Sequence, residues 1–249
     1  MNGSAEEQRR DSGLSRPVEW KISEKPHTEE SEGKTLRLGV LISGDGSNLQ
    51  ALIDAIAQNE LPGVEIALVI SNRADAYGIQ RALKHRIPVI YFPWEKRSAI
   101  PPSGDGMSGS EAKLTALLQL FQVDLIVCAG WMRIFTPAFV SQFPRRMINL
   151  HPALLPDDGV GDTFITGDGT VIPVFRGLHV VRQALAAGVK VTGSTLHYVT
   201  PEVDAGPVIC RAEVAIEPGD TEESLHERIK QVEHKLIVEG VKLRFWELL

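Results

Sequence analysis

Two polar side chains separated by one residue are the first candidates for chemistry. Asn149 and His151 lie in Ile148–Pro152 (INLHP), an apolar run that ends at a proline. Because the side chains of a strand alternate between its faces, the two would project from the same face. An amide beside an imidazole favours a polar reaction centre, since histidine is the commonest proton-transfer group. The alternative is a hydrogen-bonded core histidine beside an asparagine that satisfies local backbone groups.

A carboxylate further along the chain is the third candidate. Asp204 lies in Thr200–Pro207 (TPEVDAGP), where proline and glycine bound the segment. A carboxylate in such a loop is more often a turn residue than a catalyst. It gains a catalytic role if the loop folds back onto His151, where it would orient the ring and favour the imidazolium.

The segment Ser43–Asn48 (SGDGSN) joins an apolar run to a helical pattern. Glycines there let the backbone approach a ligand, and the N–H groups of a helix N-terminus attract an anion. The segment is not a dinucleotide fingerprint, because Leu49 occupies the position of the third glycine. It is not a P-loop either, because no lysine follows. An ordinary turn capped by Ser47 or Asn48 is the alternative.

Arg133, after another apolar run, could equally reach a ligand cleft or lie in a solvated loop.

These candidates follow apolar runs that predict a buried sheet. The runs are Leu36–Ile42, Val64–Ile70 and Val123–Ala129, with a shorter one at Pro88–Phe92, each followed by helical spacing. Continuous apolar strands are buried on both faces, as in parallel sheets covered by helices. The sequence therefore predicts an α/β fold, Rossmann-like and doubly wound, with a mostly parallel sheet. Ligands of such folds bind at the carboxyl ends of the strands.

Other segments predict the remaining elements. Proline, glycine and serine in Pro93–Ser110 predict a surface loop, and two β-prone runs within Asp157–Arg176 predict a hairpin around Gly167–Gly169. Further strands are expected at Ser194–Val199 and Pro207–Ile216. A long C-terminal helix is expected to begin with Asp220 as its N-cap.

Composition bounds the rest. The chain has 249 residues, 43% of them hydrophobic, with a net charge of −6 and two cysteines inside apolar runs. We expect residues 1–35, which are polar and charged, to be a disordered tail, and residues 36–249 to form a single domain with an insertion at 157–176. The acidic balance argues against a nucleic-acid surface. No apolar run reaches the length of a membrane span, and no signal peptide is evident, so the cytoplasm is the expected location.

Five stretches together resemble the phosphoribosylglycinamide formyltransferases, folate-dependent enzymes of purine synthesis: LISGDGSNLQALIDAI, VISNRADAYG, VCAGWMRIFTPAFV, INLHPALLP and GSTLHYVTPEVDAGPVI. The resemblance covers residues 37–92 and 112–245. It implies the formyltransferase fold and transfer of a formyl group from 10-formyltetrahydrofolate, as co-substrate, to the amine of glycinamide ribonucleotide. It implies no metal, only small-molecule partners without nucleic acid or membrane, and a monomer or homodimer.

The resemblance also implies roles for particular residues. Asn149, His151 and Asp204 would be the catalytic set that stabilises the oxyanion and moves the proton. Glycinamide ribonucleotide would be bound by Gly46, Ser47, Asn48 and Glu233, the first three at its phosphate and the last at its ribose. The folate would be bound by Met132, Arg133, Ile134, Phe135, Thr200, Pro201, Glu202, Val203 and Asp204.

The chain departs from the family pattern in two places. Many relatives carry an arginine just before the helix near residue 111, where this chain has Ser108-Gly-Ser-Glu111 and only Arg97 as a weak substitute. A short basic link usually follows the LLP segment, but here Asp157-Asp158 and the insertion follow it. We expect the insertion to cap the folate cleft.

Three alternatives stay open. A methionyl-tRNA formyltransferase would need a basic C-terminal domain, and this chain ends acidic. A formyl-folate hydrolase would carry a regulatory N-terminal domain and lack the Gly-Ser-Asn loop. A catalytically inactive nucleotide-binding module would have no need for Asn149, His151 and Asp204 together.

Overall fold

The computed structural model of the protein describes residues 34–94 and 106–248. Residues 1–33 of the expected disordered tail therefore lie outside the described residues. So do residues 95–105 of the expected loop, which include Arg97. None of the helices of the described part is both long and apolar enough to cross a membrane.

Nine strands are present in the described part. In chain order they are β1 Leu36–Ile42, β2 Val64–Ser71, β3 Val89–Tyr91, β4 Leu125–Cys128, β5 Met147–His151, β6 Thr163–Ile165, β7 Val171–Pro173, β8 Val191–Tyr198 and β9 Val208–Ala215. Seven of them form one sheet in the order β3-β2-β1-β4-β5-β8-β9. The pairs from β3 to β5 are parallel, whereas β8 and β9 are antiparallel to their neighbours.

Helices cover both faces of this sheet. They are α1 Ser47–Ala57, α2 Tyr77–Lys84, α3 Gly109–Leu120, α4 Pro137–Val140, α5 Val180–Ala186 and α6 Glu222–Leu248. Val40 and Ile42 of β1 pack with residues of α1 and α6, while Leu41 between them packs with residues of α3 and α4. Alternate residues of one strand thus enter two apolar layers, which is why the run is continuous. The predicted doubly wound, mostly parallel α/β fold with a long C-terminal helix is confirmed.

The predicted hairpin is also confirmed. β6 and β7 pair antiparallel, and Gly169 N donates to Thr166 O across the turn at 2.8 Å. Phe164 and Ile172 face inward and pack on Leu154, whereas the outward side chains are exposed.

Two helix starts differ from the predictions. The N-cap of α6 is Thr221 and not Asp220, because Thr221 O accepts the first helical bond from Leu225 N and Thr221 Oγ accepts from Ser224 N. The Asp220 carboxylate instead accepts from Glu217 N and Ser224 Oγ. The expected loop at Pro93–Ser110 ends earlier than predicted, since α3 starts at Gly109. Ser108 forms a reciprocal capping box with the third residue of that helix.

Candidate active site

A cavity of about 520 Å³ opens at the carboxyl ends of the parallel strands. Asn149, His151, Met132–Phe135 and Thr200–Asp204 line it, as do Asn48 and Glu233, so the candidate residues from five distant segments share one space. Gly46 and Ser47 are not among its lining residues and lie beyond Asn48. The segments after β1 and β4 and the end of β5 meet at this edge of the sheet. The loop after β8 leaves the other end, because β8 is antiparallel to β5, and folds back to the cavity, while Glu233 reaches it from α6.

The strand β5 and its neighbour β8 position the polar cluster. Asn149 and His151 both face the cavity, as the strand period requires. The antiparallel register places His197 of β8 directly opposite Asn149, with Asn149 Nδ2 3.1 Å from His197 Nε2. His197 Nδ1 lies 2.8 Å from Tyr198 O and must donate, because a carbonyl only accepts. In the tautomer that carries its hydrogen on Nδ1, His197 accepts from Asn149 Nδ2.

Asp204 folds back onto this cluster. Its two carboxylate oxygens lie 3.4 Å from His151 Nδ1 and 3.5 Å from His197 Nε2, and one is 3.5 Å from Asn149 Nδ2. Gly177 N donates to Asp204 Oδ2 at 2.9 Å. Asp204 is thus part of a polar centre and not a simple turn residue. Its backbone has φ = 50°, in the left-handed region that is unfavourable for a residue with a side chain.

The surroundings of His151 set its proton. Its Nε2 lies 2.8 Å from Phe175 O and therefore carries a hydrogen, which leaves Nδ1 facing the Asp204 carboxylate. The ring is only 3% exposed, and burial lowers the pKa of His151 below its usual value although Asp204 and the Phe175 carbonyl raise it. Burial thus favours the neutral ring, while the facing carboxylate stabilises the protonated form when negative charge develops nearby.

Asp204 itself is held ionised. Burial on its own raises the pKa of this carboxyl group, but the neighbouring His197 and His151 rings and the Gly177 N–H outweigh burial. Together they keep the pKa of Asp204 below its usual value. An ionised carboxylate, two imidazoles and an amide thus lie together at one end of the cavity.

The glycine-rich loop forms the start of α1. Gly46 is the N-cap with φ = 77°, and a Cβ there would lie 2.7 Å from Gly78 Cα, so only glycine fits. The helix has no side-chain cap, and the alternative in which Ser47 or Asn48 caps it is wrong. Among the residues that the structure describes, its first N–H groups therefore have no helical or side-chain partner, and they suit an anion. Arg81 fixes the loop by donating to Asp45 O at 2.9 Å.

Asn48 and Glu233 form a buried polar pair beside this loop. Asn48 Nδ2 donates to Glu233 Oε2 at 3.0 Å, and Glu233 is 6% exposed. Ser194 Oγ lies 2.9 Å from His151 O and 3.4 Å from Glu233 Oε1, which connects this pair to β5. Asn48 Oδ1 is buried and has no hydrogen-bond partner among the described residues. A hydroxyl or amide donor from a ligand would satisfy it.

The opposite wall of the cavity is apolar. Met132, Ile134 and Val203 are exposed there, which is unusual for large apolar side chains grouped around a cavity. Phe135 is buried below them and stacks on Phe139 with ring centroids 4.7 Å apart. The arrangement suits a flat ring system inserted between apolar side chains.

Sequence reasoning missed several lining residues, which are His197, Leu178, His179, Glu222 and His226. His197 is found only through the register of β5 and β8, which the sequence does not give. Glu222, His226 and Glu233 lie four and seven residues apart, a spacing that places them on one face of α6. From the position of Glu233, that spacing could have identified Glu222 and His226 as lining residues.

The prediction that the insertion caps the folate cleft is wrong. No residue of 157–176 lines the cavity. The hairpin packs instead on Leu154 and Val191, and Gly167 N donates to Glu213 Oε1 at 2.6 Å, so its tip lies against β9. Only the residues at its exit approach the polar cluster. Within the described ranges, no group of three or more His, Cys, Asp or Glu residues is arranged to hold a metal ion.

Comparisons with known proteins agree with this geometry. The formyl transferase family model matches residues 36–241. The phosphoribosylglycinamide formyltransferase of Escherichia coli is 37% identical over 201 residues, which are 81% of this chain and 83% of that protein. The trifunctional purine biosynthetic protein adenosine-3 of Drosophila pseudoobscura is 44% identical over 80% of this chain, and the match spans 13% of that longer protein.

A solved structure is similar over nearly the whole chain. The glycinamide ribonucleotide transformylase 1 of Symbiobacterium toebii superposes with a TM-score of 0.71 at 37% identity, covering 90% of this chain and 93% of that one. Both the sequence and the fold are therefore shared with enzymes of one kind. The chain belongs to the formyl transferase family and, within it, to the phosphoribosylglycinamide formyltransferases.

Proposed function

We propose that this protein transfers the formyl group of 10-formyltetrahydrofolate to the amino group of glycinamide ribonucleotide in purine synthesis. The observation that carries the proposal is that the cluster of Asn149, His151 and Asp204 shares one cavity with the Asn48–Glu233 pair. The names of the relatives from E. coli and S. toebii support the same reaction.

The ribonucleotide binds at the start of α1. Its phosphate accepts from the N–H groups of Gly46, Ser47 and Asn48, where the positive end of the helix dipole favours an anion. Glu233 accepts hydrogen bonds from the ribose hydroxyls. The orphaned Asn48 Oδ1 supports this assignment, because it needs a donor that the described residues do not supply.

The folate binds along the apolar wall. Met132–Phe135 and Thr200–Asp204 hold its ring system, with Met132, Ile134 and Val203 as apolar contacts. The formyl group then lies between this wall and the polar cluster. The two substrates thus meet next to Asn149 and His151.

The reaction needs a hydrogen-bond donor that stabilises the negative charge of its intermediate. The unprotonated amine attacks the formyl carbon, a C–N bond forms, and the carbonyl oxygen becomes an oxyanion. Asn149 donates a hydrogen bond to that oxygen, and the His151 ring adds to the stabilisation once it has taken up a proton. Removing one such donor typically lowers the rate by about 100- to 1000-fold.

A proton must then change place. It leaves the attacking nitrogen and reaches the folate nitrogen as the bond from that nitrogen to the formyl carbon breaks. His151, or a water molecule held by Asp204, carries it. The adjacent ionised carboxylate of Asp204 stabilises the imidazolium during this transfer. Acyl and proton transfer account for the whole balance, so no metal or redox cofactor enters it.

Partners, location and domain organisation follow as further parts of the proposal. We place the enzyme in the cytoplasm as a monomer or homodimer, acting on small molecules without nucleic acid or membrane. The net charge of −6 supports the absence of a nucleic-acid partner, because a nucleic-acid surface needs clustered positive charge. Residues 36–249 act as one domain in this proposal.

The decisive experiment compares wild type with His151→Ala. Formyl transfer from 10-formyltetrahydrofolate to glycinamide ribonucleotide is measured, together with calorimetric binding of the ribonucleotide. We expect turnover to fall by about 100-fold or more while ribonucleotide binding survives, because Asn48 and Glu233 lie on other elements. His85→Ala changes an exposed histidine on the outside and serves as the matched control.

Three outcomes would contradict the proposal. Near-normal turnover of His151→Ala would remove the role of this histidine. Release of formate by wild type at a rate independent of the amine substrate would favour the formyl-folate hydrolase. Absence of either reaction would favour an inactive nucleotide-binding module.

A further inference from the structure

Arg176, at the exit of the insertion, joins two segments that are distant in sequence. Its Nε donates to Asp204 O at 3.1 Å, and its Nη2 donates to Gly159 O at 2.7 Å and to Gly161 O at 2.8 Å. One planar guanidinium thus connects the start of the insertion to the backbone of the residue whose carboxylate faces His151. The nearby Asp162 is fully exposed at 3.7 Å and adds little.

The residues on either side of Arg176 contact the same polar cluster. Phe175 O accepts from His151 Nε2, and Gly177 N donates to Asp204 Oδ2. Three consecutive residues therefore set the ring proton of His151, the backbone of Asp204 and the carboxylate of Asp204. A shift of residue 176 would disturb all three contacts at once.

The loop that carries Asp204 needs such support. Asp204 has a left-handed backbone, which is unfavourable for residues with a side chain, though less so for aspartate than for most. Gly159 lies directly against the loop, since a Cβ at this position would be 2.5 Å from the Ala205 carbonyl. Val208 N also donates to Asp157 O at the end of the loop. The insertion thus packs on the second half of the loop, residues 204–208, with Arg176 as its polar link to Asp204.

We infer that Arg176 is a positioning residue for formyl transfer, and that the insertion serves to hold the Asp204 loop against His151. The inference rests on the proposed function. It assigns to the insertion a task that its packing supports, because the insertion contacts the back of the catalytic loop and does not line the cavity. Arg176 acts through Asp204 and Phe175 and does not itself line the substrate cavity.

The test compares Arg176→Met, Arg176→Lys and Arg211→Met with wild type. Arg211 is the matched control, since it also binds the insertion, through Asp157 and the Phe164 ring, without contacting Asp204. We expect kcat to fall by on the order of 10- to 100-fold in Arg176→Met, as for a catalytic group displaced by about 1 Å. The KM for glycinamide ribonucleotide should stay within about twofold, because its binding residues lie on α1 and α6.

Arg176→Lys should recover part of the lost kcat, since an ammonium can bind one or two of the three carbonyls. Arg211→Met should keep nearly full kcat even where its melting temperature falls as far as that of Arg176→Met. An equal loss of kcat in Arg211→Met, or a KM increase that explains the whole effect, would overturn the inference. So would wild-type kcat in Arg176→Met.

Hydrogen exchange gives a readout that does not depend on activity. Amides of residues 199–206 should exchange at least tenfold faster in Arg176→Met than in Arg211→Met or wild type. Equal exchange in the two variants would overturn the inference. If wild type transferred no formyl group, the proposed function would fail while exchange would still decide whether Arg176 holds the loop. If Arg176→Met failed to fold, the same comparison with Arg176→Lys, with smaller expected changes, would decide.

Discussion

Replacing Glu233 by glutamine removes one charge from the proposed ribose site and keeps the shape of the side chain. Glu233 accepts from Asn48 Nδ2 at 3.0 Å, and Ser194 Oγ lies 3.4 Å from its other oxygen. The glutamine oxygen can still accept from Asn48. Its amide can donate to Ser194 Oγ, since the Ser194 hydroxyl hydrogen is already directed to His151 O at 2.9 Å. We therefore expect Glu233→Gln to fold.

We expect Glu233→Gln to weaken the binding of glycinamide ribonucleotide. A hydrogen bond to a charged group contributes roughly 1.5–3 kcal/mol and one between neutral groups roughly 0.5–1.5 kcal/mol, so each ribose hydroxyl loses about 1 kcal/mol. Two hydroxyls on the 6% exposed side chain together lose about 2 kcal/mol, which is about a 30-fold weaker affinity. We expect the KM and Kd of glycinamide ribonucleotide to rise by about this factor.

The assay is steady-state formyl transfer with each substrate varied, together with calorimetry for the ribonucleotide. The KM for the folate and kcat at saturation should change by less than about threefold, because Glu233 contacts no residue of the polar cluster directly. Glu239→Gln, at a half-exposed position of the same helix away from the cavity, is the control. A ribonucleotide affinity within twofold of wild type would refute the assignment of Glu233.

The remaining predictions concern stability. The folded pKa of His151 is lowered below its unfolded value, so the unfolded chain takes up the proton first and stability falls as the pH drops below about 6.5. His151→Gln should show a smaller loss of unfolding free energy than wild type between pH 7.5 and pH 5 in urea titrations, and identical losses would contradict the burial argument. The lowered pKa of Asp204 contributes stability that disappears only as the pH falls below about 3.9, outside that interval. Gly46→Ala should cost about 2 kcal/mol or more, since φ is 77° and the new Cβ would meet Gly78 Cα at 2.7 Å, whereas Gly169→Ala, with φ 85° and open space, should cost about 1 kcal/mol in the same titration.

The parts of the fold that depend on local pattern were predictable. The continuous run Leu36–Ile42 indicated a strand buried on both faces, and its alternate residues do enter two apolar layers. The two β-prone runs around Gly167–Gly169 indicated a hairpin, because turn residues and β propensity act over only a few positions. The pairing of Asn149 with His151 on one face required only the period of a strand.

The start of α6 shows where local pattern stops. Asp220 and Thr221 are both acceptable caps, and the sequence does not decide between them. The structure selects Thr221, because Asp220 is engaged by Glu217 N in the preceding turn. Such choices depend on how the chain enters the helix, which is set by packing.

The sequence by itself determined the layers, the strand that carries Asn149 and His151, and the resemblance to a family. Tertiary structure alone decided that β8 runs antiparallel to β5 and so brings His197 opposite Asn149. It also decided that Arg176 connects the insertion to the Asp204 backbone, and that the insertion does not line the cavity. The physical reason is range: periodicity and propensity act between neighbours along the chain, whereas strand register and contacts between distant loops depend on how the whole sheet packs.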